Sequence, residues 1–205
     1  MNHITKVALC GLMAASAFTS TTYAEDIGVK PYIGLDYNRI SADYQTFNGV
    51  DQSEVLADSF NGFNPYIGFQ LTERFGVELG YIRTGTQDKS FDSAVIGLAP
   101  GTTINTSTKI SGFHADAVGR HAVSDKLDLL GSVGLARLKA DITASVANVS
   151  ISDSESDTAL RAGVGARYAV TDELGLRGMV RYMKVDFDDT ADGAFQYSFG
   201  VNYRF

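Results

Sequence analysis

The sequence predicts an all-β chain, folded as an eight-stranded antiparallel up-and-down transmembrane β-barrel. Three observations carry that reading. Eight runs alternate with period two, the connections between them are by turns short and long, and one strand face is charged where the other is apolar.

Before the first run, Lys6 precedes an apolar stretch from Val7 to Phe18, and small residues follow at Thr22 and Ala24. Residues 1–24 read as a signal peptide cleaved after Ala24. The stretch is about 12 residues long, too short to span a bilayer as a helix, and no later segment reaches the roughly 18 required. Cys10 lies inside it behind the bulky Leu9, where a lipoprotein signal needs a small residue, so lipidation is not expected. Residues 25–205 then form one domain with no cysteine and no thiol chemistry. The 24 acidic residues exceed 17 Lys and Arg, for a net charge of −7, which argues against nucleic acid and against simple attraction to anionic lipid. With 21 Gly, 10 Tyr, 12 Phe and 3 Pro, the composition suits strands crowded around one axis better than helices.

The first run, about Val29 to Asn38, sets Val29, Pro31, Ile33, Leu35 and Tyr37 against Lys30, Tyr32, Gly34, Asp36 and Asn38. More than 20 polar-leaning residues separate it from the second, Phe63 to Leu71, with Phe63, Pro65, Ile67, Phe69 and Leu71 on one face. Only Thr72, Glu73 and Arg74 precede the third, where Phe75, Val77, Leu79 and Tyr81 alternate with Gly76, Glu78, Gly80 and Ile82. A long connection, about Thr84 to Thr106, leads to a fourth run opposing Phe113, Ala115, Ala117 and Gly119 to His114, Asp116, Val118 and Arg120. Ser124, Asp125 and Lys126 turn the chain into the fifth, with Leu129, Gly131, Val133 and Leu135 on one face. Next comes a third long connection, near Asp141 to Asp157, containing SISDSESD. The sixth run sets Leu160, Ala162, Val164, Ala166 and Tyr168 against Arg161, Gly163, Gly165 and Arg167. After Thr171, Asp172 and Glu173, the seventh alternates Leu176, Gly178, Val180 and Tyr182 with Arg177, Met179 and Arg181, Lys184 lying nearby. A last connection, Asp186 to Gly193, precedes the closing run FQYSFGVNYRF, which separates Phe195, Tyr197, Phe199, Val201, Tyr203 and Phe205 from Gln196, Ser198, Gly200, Asn202 and Arg204.

Three short turns thus alternate with four longer connections, as in a membrane barrel with periplasmic turns and external loops; a soluble sandwich has no reason for the asymmetry. A tilted strand crosses the hydrocarbon core in about 9–11 residues, and closure leaves no unpaired backbone edge in lipid. The charged face decides between lipid and water. Were Asp36, Glu78, His114, Asp116, Arg161, Arg167, Arg177 and Arg181 outside, every large aromatic would point into a barrel too narrow to hold them. Placed in the lumen, these eight form a charge cluster, with Gly34, Gly80, Gly134, Gly163, Gly165 and Gly200 making room for the long Arg side chains. Paired charges filling a narrow lumen are the expectation, with a narrow pore for small solutes or ions as the alternative.

The segments NPYIGFQLTERFGVELGY (Asn64 to Tyr81) and GVGARYAVTDELGLR (Gly163 to Arg177), with the closing strand, resemble the eight-stranded outer-membrane β-barrel family that includes the OmpA-like transmembrane domain and opacity-type surface proteins. The resemblance covers essentially all of the mature chain. It implies that Ser198, Gly200, Tyr203 and Phe205 match the C-terminal signal read by the barrel assembly machinery. It also implies that Glu78 and Arg177 belong to a buried charge cluster. Val118, Ser132 and Arg167 stand where the OmpA-like pattern would have a Lys, an Arg and an acid, so the family's salt-bridge gate does not carry over whole. No peptidoglycan-binding sequence follows Phe205, and anchoring of that kind is not expected.

Among barrels of this size, enzymes that act on lipid A use His and Ser on the outer surface. Here no His-x-Ser pair lies on a strand, His114 beside Asp116 falls inside, and His121 sits near a turn with Ser124 beyond the strand. No catalytic, cofactor or metal site is therefore expected. Asp186, Asp188, Thr190, Asp192 and Gly193 faintly resemble a calcium loop but meet Tyr197 where a bidentate Glu belongs, and Asp153, Glu155 and Asp157 read as a solvated acidic loop. Tyr44, Phe47, Phe60 and Phe91 interrupt polar connections, as adhesin loops or as an interfacial belt. The expectation is a monomer of a Gram-negative outer membrane with both termini in the periplasm. Its role is structural, with loops for adhesion or surface interaction, contact with lipopolysaccharide, and no nucleic-acid partner.

Overall fold

Alternation on this scale forces extended backbone, and extended backbone in lipid must close on itself. The computed structural model describes residues 29–44, 46–47, 50–146, 149–184 and 191–205. The leader 1–24 and Asp186, Asp188 and Thr190 lie outside the described residues, as do the side chains of Tyr44 and Phe47. Eight strands make the wall: β1 Lys30–Tyr44, β2 Ser59–Gln70, β3 Phe75–Thr84, β4 Thr103–Ala122, β5 Leu127–Val146, β6 Val149–Ala169, β7 Leu174–Lys184 and β8 Ala191–Arg204. Each pairs antiparallel with its neighbours in sequence, and β8 returns to β1 through Tyr37 opposite Phe199 and Ile33 opposite Tyr203. The ring has no free edge along the height of the barrel.

The three short turns share one construction. Thr72 Oγ1 accepts from Phe75 N at 3.0 Å, Ser124 Oγ from Leu127 N at 3.2 Å and Thr171 Oγ1 from Leu174 N at 3.0 Å. A hydroxyl at the second turn position thus stands in for a backbone acceptor and tightens the reversal. Both described ends of the chain and these turns lie at one end of the barrel, the turn end.

At the other, loop end, the structure departs from the predicted boundaries. Strand β1 runs on to Tyr44, and the presumed loop Asp141 to Asp157 is strand throughout its described residues, so SISDSESD belongs to β6. Strands β4, β5 and β6 have 20, 20 and 21 residues. The excess over a membrane crossing is about ten residues, roughly 30 Å measured along a strand. Together with the short strand Gln87–Asp92, paired to Thr103–Thr108, they build a four-stranded sheet beyond the barrel. Phe60, expected in a polar loop, lies on β2 and is fully buried. Lys184 is exposed on the outer face, and Met183 takes the inward position there.

The outer face carries Ile33, Leu35, Phe63, Leu79, Phe113, Leu135, Val164, Phe199 and Val201, all large, apolar and exposed. So continuous an apolar girdle is a lipid-facing surface. Toward the loop end it finishes in three outward aromatic pairs, Tyr37–Phe63, Tyr81–Phe113 and Tyr182–Phe195, with ring centroids 5.7, 4.7 and 5.1 Å apart.

Candidate functional site

Inward side chains from all eight strands fill the lumen in three layers. In the middle layer Arg177 of β7 reaches across the barrel to two acids, its Nη2 standing 2.5 Å from Asp36 Oδ2 and its Nη1 2.6 Å from Glu78 Oε1. Tyr32 Oη donates to the same Glu78 oxygen at 2.8 Å, and the guanidinium lies 4.0 Å over the Tyr66 ring. Beside it Arg161 Nε is 3.2 Å from Asp116 Oδ1, while Asp116 Oδ2 is 3.2 Å from His114 Nδ1. His114 Nε2 is 2.9 Å from Asn64 Oδ1, within hydrogen-bond distance. Arg161 also donates to Gln196 Oε1 at 3.3 Å, and Arg181 to Ser198 Oγ at 3.2 Å. All of these charged side chains are buried. Three cations face three carboxylates, the balance that charges withdrawn from water require.

At the turn end a second layer gathers around Asp128, with Arg120 Nε at 3.0 Å and Arg167 Nη1 at 3.4 Å. Arg167 Nε donates to Asn202 Oδ1 at 3.3 Å. The third layer, toward the loop end, is apolar: Ile40, Phe60, Ile82, Leu138 and Met183 pack together with Ala136, Ala159 and Ala194. Sequence reasoning missed Asp128, which stands beside a turn, and the apolar layer, whose residues occupy the face otherwise marked by polarity.

The glycines do a different job from the one expected. A Cβ on Gly34 would lie 2.1 Å from the Tyr66 ring, on Gly80 2.3 Å from His114, on Gly134 2.3 Å from Asp116 and on Gly200 2.4 Å from Asp36. Gly165 clears the Met179 sulfur, and of the six only Gly163 clears an arginine, Arg181. They admit rings, carboxylates and a thioether more than long guanidinium stems.

On the closing strand Ser198 and Gly200 face inward, whereas Tyr203 and Phe205 are exposed and meet edge to face at 5.4 Å. His121 is exposed near its turn.

Beyond the barrel, hydroxyls lace the four-stranded sheet. Ser107 donates to Asp88 and Ser90 to Asn105, each at 2.6 Å, and the hydroxyls of Thr143 and Ser152 are 3.0 Å apart. The short helix Gln52–Val55 of the first loop docks on this sheet. Lys89 donates to the Ser53 carbonyl, Thr106 Oγ1 donates to the Val55 carbonyl at 2.6 Å, and Val55, Leu56 and Ile104 are buried. The Ser53 hydroxyl and backbone N–H hold the Asp51 carboxyl below the usual carboxylate range. Along β6, residues 149–154 pair with β5, and pairing with β7 begins only at Leu160 opposite Lys184. That upper edge presents Val149 and Ile151, which are 65% and 72% exposed.

The model of the outer membrane protein β-barrel domain family matches residues 10–205. Among solved structures the chain is similar to Ail, the attachment invasion locus protein of Yersinia pestis, in complex with the heparin analogue sucrose octasulfate. The two are 20% identical over 86% of this chain and 97% of that one, with a TM-score of 0.53. It is also similar to neisserial surface protein A, at 18% identity over 85% and 97% of the two chains and a TM-score of 0.52. OprG of Pseudomonas aeruginosa aligns at 14% identity over 86% and 96%, with a TM-score of 0.53. Likeness at such identity speaks for the fold. Among curated proteins no sequence matches.

Proposed function

We infer the role of this chain from its family: it belongs to the outer membrane protein β-barrel domain family, and its place is the bacterial outer membrane. Within that setting it is a plugged barrel whose role is structural and whose external sheet mediates adhesion or surface interaction. The observation that carries this reading is the upper edge of β6, residues 149–153, which faces no strand other than β5 among the described residues. Such an edge, flanked by exposed Val149 and Ile151, is a template on which an extended partner segment adds as a further strand.

Charge narrows the partner. The first loop carries Asp43, Asp51, Glu54 and Asp58 with no Lys or Arg between Ser41 and Phe60, and β6 adds Asp153, Glu155 and Asp157. A neutral or basic protein surface fits this, and a polyanion such as the heparin analogue bound to Ail does not. In the membrane, Arg39, Arg83, Arg137 and Lys184 point outward near the loop-end aromatic pairs, where they meet the phosphates of lipopolysaccharide. Export through the 1–24 leader, assembly read from Ser198, Gly200, Tyr203 and Phe205, a monomeric state and the absence of enzymatic activity complete the proposal.

The edge is tested with Ser152→Pro, which removes a backbone donor on the side turned away from β5 and blocks strand addition. Bacteria displaying this variant should lose adhesion to host cells or matrix while its heat-modifiable migration in detergent gels stays normal. Adhesion equal to that of the unaltered protein would remove the edge from the mechanism.

A further inference from the structure

The lumen charges do not balance along its length. In the middle layer three arginines lie among three carboxylates, but at the periplasmic end Arg120, Arg167 and inward-facing Arg204 have Asp128 alone among the described residues. Asp128 is already engaged by two of them, and among the described residues no carboxylate pairs with Arg204. Arg167 is buried, its side chain 5% exposed; its Nε and Nη1 are used on Asn202 and Asp128, while Nη2 is buried with no hydrogen-bond partner. An unpaired guanidinium N–H in such a place is costly, and two surplus positive charges in a confined vestibule compound it.

These three arginines line a cavity of about 40 Å³, together with Tyr32, Gln70 and the Arg177–Glu78 pair, which adds no net charge. One water needs about 10–15 Å³ by the same measure, so a larger polar group has room. Gly175 helps to keep the space open, since a Cβ there would stand 2.6 Å from Arg167 Nε and 2.9 Å from its Nη2. We propose that this periplasmic vestibule binds a phosphate-type oxyanion, with Arg167 Nη2 donating to it and Arg204 and Arg120 supplying further N–H groups and charge. Fixed guanidinium forks from three strands suit a tetrahedral oxyanion, and the surplus charge matches a phosphate. The same chemistry is offered by free phosphate in the periplasm and by the headgroup of an inner-leaflet phospholipid folded over the rim beside Phe75.

The test titrates the mature barrel, refolded in a non-ionic maltoside, with inorganic phosphate by calorimetry against chloride at matched ionic strength. Saturable phosphate binding is expected, weakened at least tenfold in Arg167→Gln and Arg204→Gln. Lys109→Gln, altering a cation of the sheet at the opposite end, should bind normally. Arg204 is partly exposed and carries no ion pair among the described residues, so its variant keeps the question open should Arg167→Gln fail to fold. Native mass spectrometry of barrels extracted from phosphatidylcholine nanodiscs, with and without phosphatidylglycerol, separates the sources. One phosphatidylglycerol retained by the wild type and lost in Arg204→Gln assigns the site to lipid, and phosphate binding without retained lipid assigns it to the free ion. Phosphate binding and lipid retention both unchanged in folded Arg204→Gln would overturn the proposal.

Discussion

Arg177 is the side chain on which the lumen depends most. It touches Asp36 and Glu78 at once, and both acids are buried where neither can recover a hydration shell. Replacing it by Met removes one cation and strands two carboxylates, and breaking a buried pair from one side typically costs about 3–5 kcal/mol. Urea unfolding in lipid vesicles should show Arg177→Met destabilised by that order. Adding Asp36→Asn and Glu78→Gln should restore much of the loss, because the stranded charges rather than the missing contacts carry the cost. A single variant as stable as the wild type would mean that water reaches the acids.

At the scale of the strand, the closing element is a stave of the wall and, in the role proposed above, a sorting signal. Its inward Gly200 accommodates Asp36, while outward Tyr203 and Phe205 meet edge to face at the turn-end rim. Phe205→Asp leaves every lumen contact in place and alters only the exposed terminus. It should therefore lower outer-membrane yield on fractionation with no change in the stability of the refolded protein, and normal yield would count against a recognition role for Phe205. This strand was legible in the sequence because lipid outside and polar packing inside impose opposite demands on alternate residues. Where both faces meet similar surroundings the signal fades, and two misreadings follow. The alternation of β1 loses its contrast beyond Asn38 because Ile40 and the other members of the apolar layer make the inward face resemble the outward one. SISDSESD looked like a loop because above the membrane both of its faces are wet, so nothing selects for alternation. The individual partners of the charge cluster were out of reach for another reason: which acid meets which arginine depends on register between strands distant in sequence, as with Asp36 and Arg177.

For the whole molecule the consequence of layering is a lumen shut twice. An ion entering from the loop end first meets Ile40, Phe60, Ile82, Leu138 and Met183, which offer it no polar ligand. Were it to pass, it would meet the Arg177 and Arg161 clusters, whose opposite charges pair across the barrel. Opening either layer alone leaves the other in place. The purified barrel in planar bilayers should accordingly show no conductance steps. Phe60→Ala should remain silent as well, despite the space it creates, because the charged layer below is untouched. Opening both, by combining Phe60→Ala with Arg177→Met and Glu78→Gln, is the condition under which small-ion steps are expected. Steps from the unaltered protein would show that the side chains exchange partners fast enough to let ions through, and the structural role would give way to that of a narrow pore.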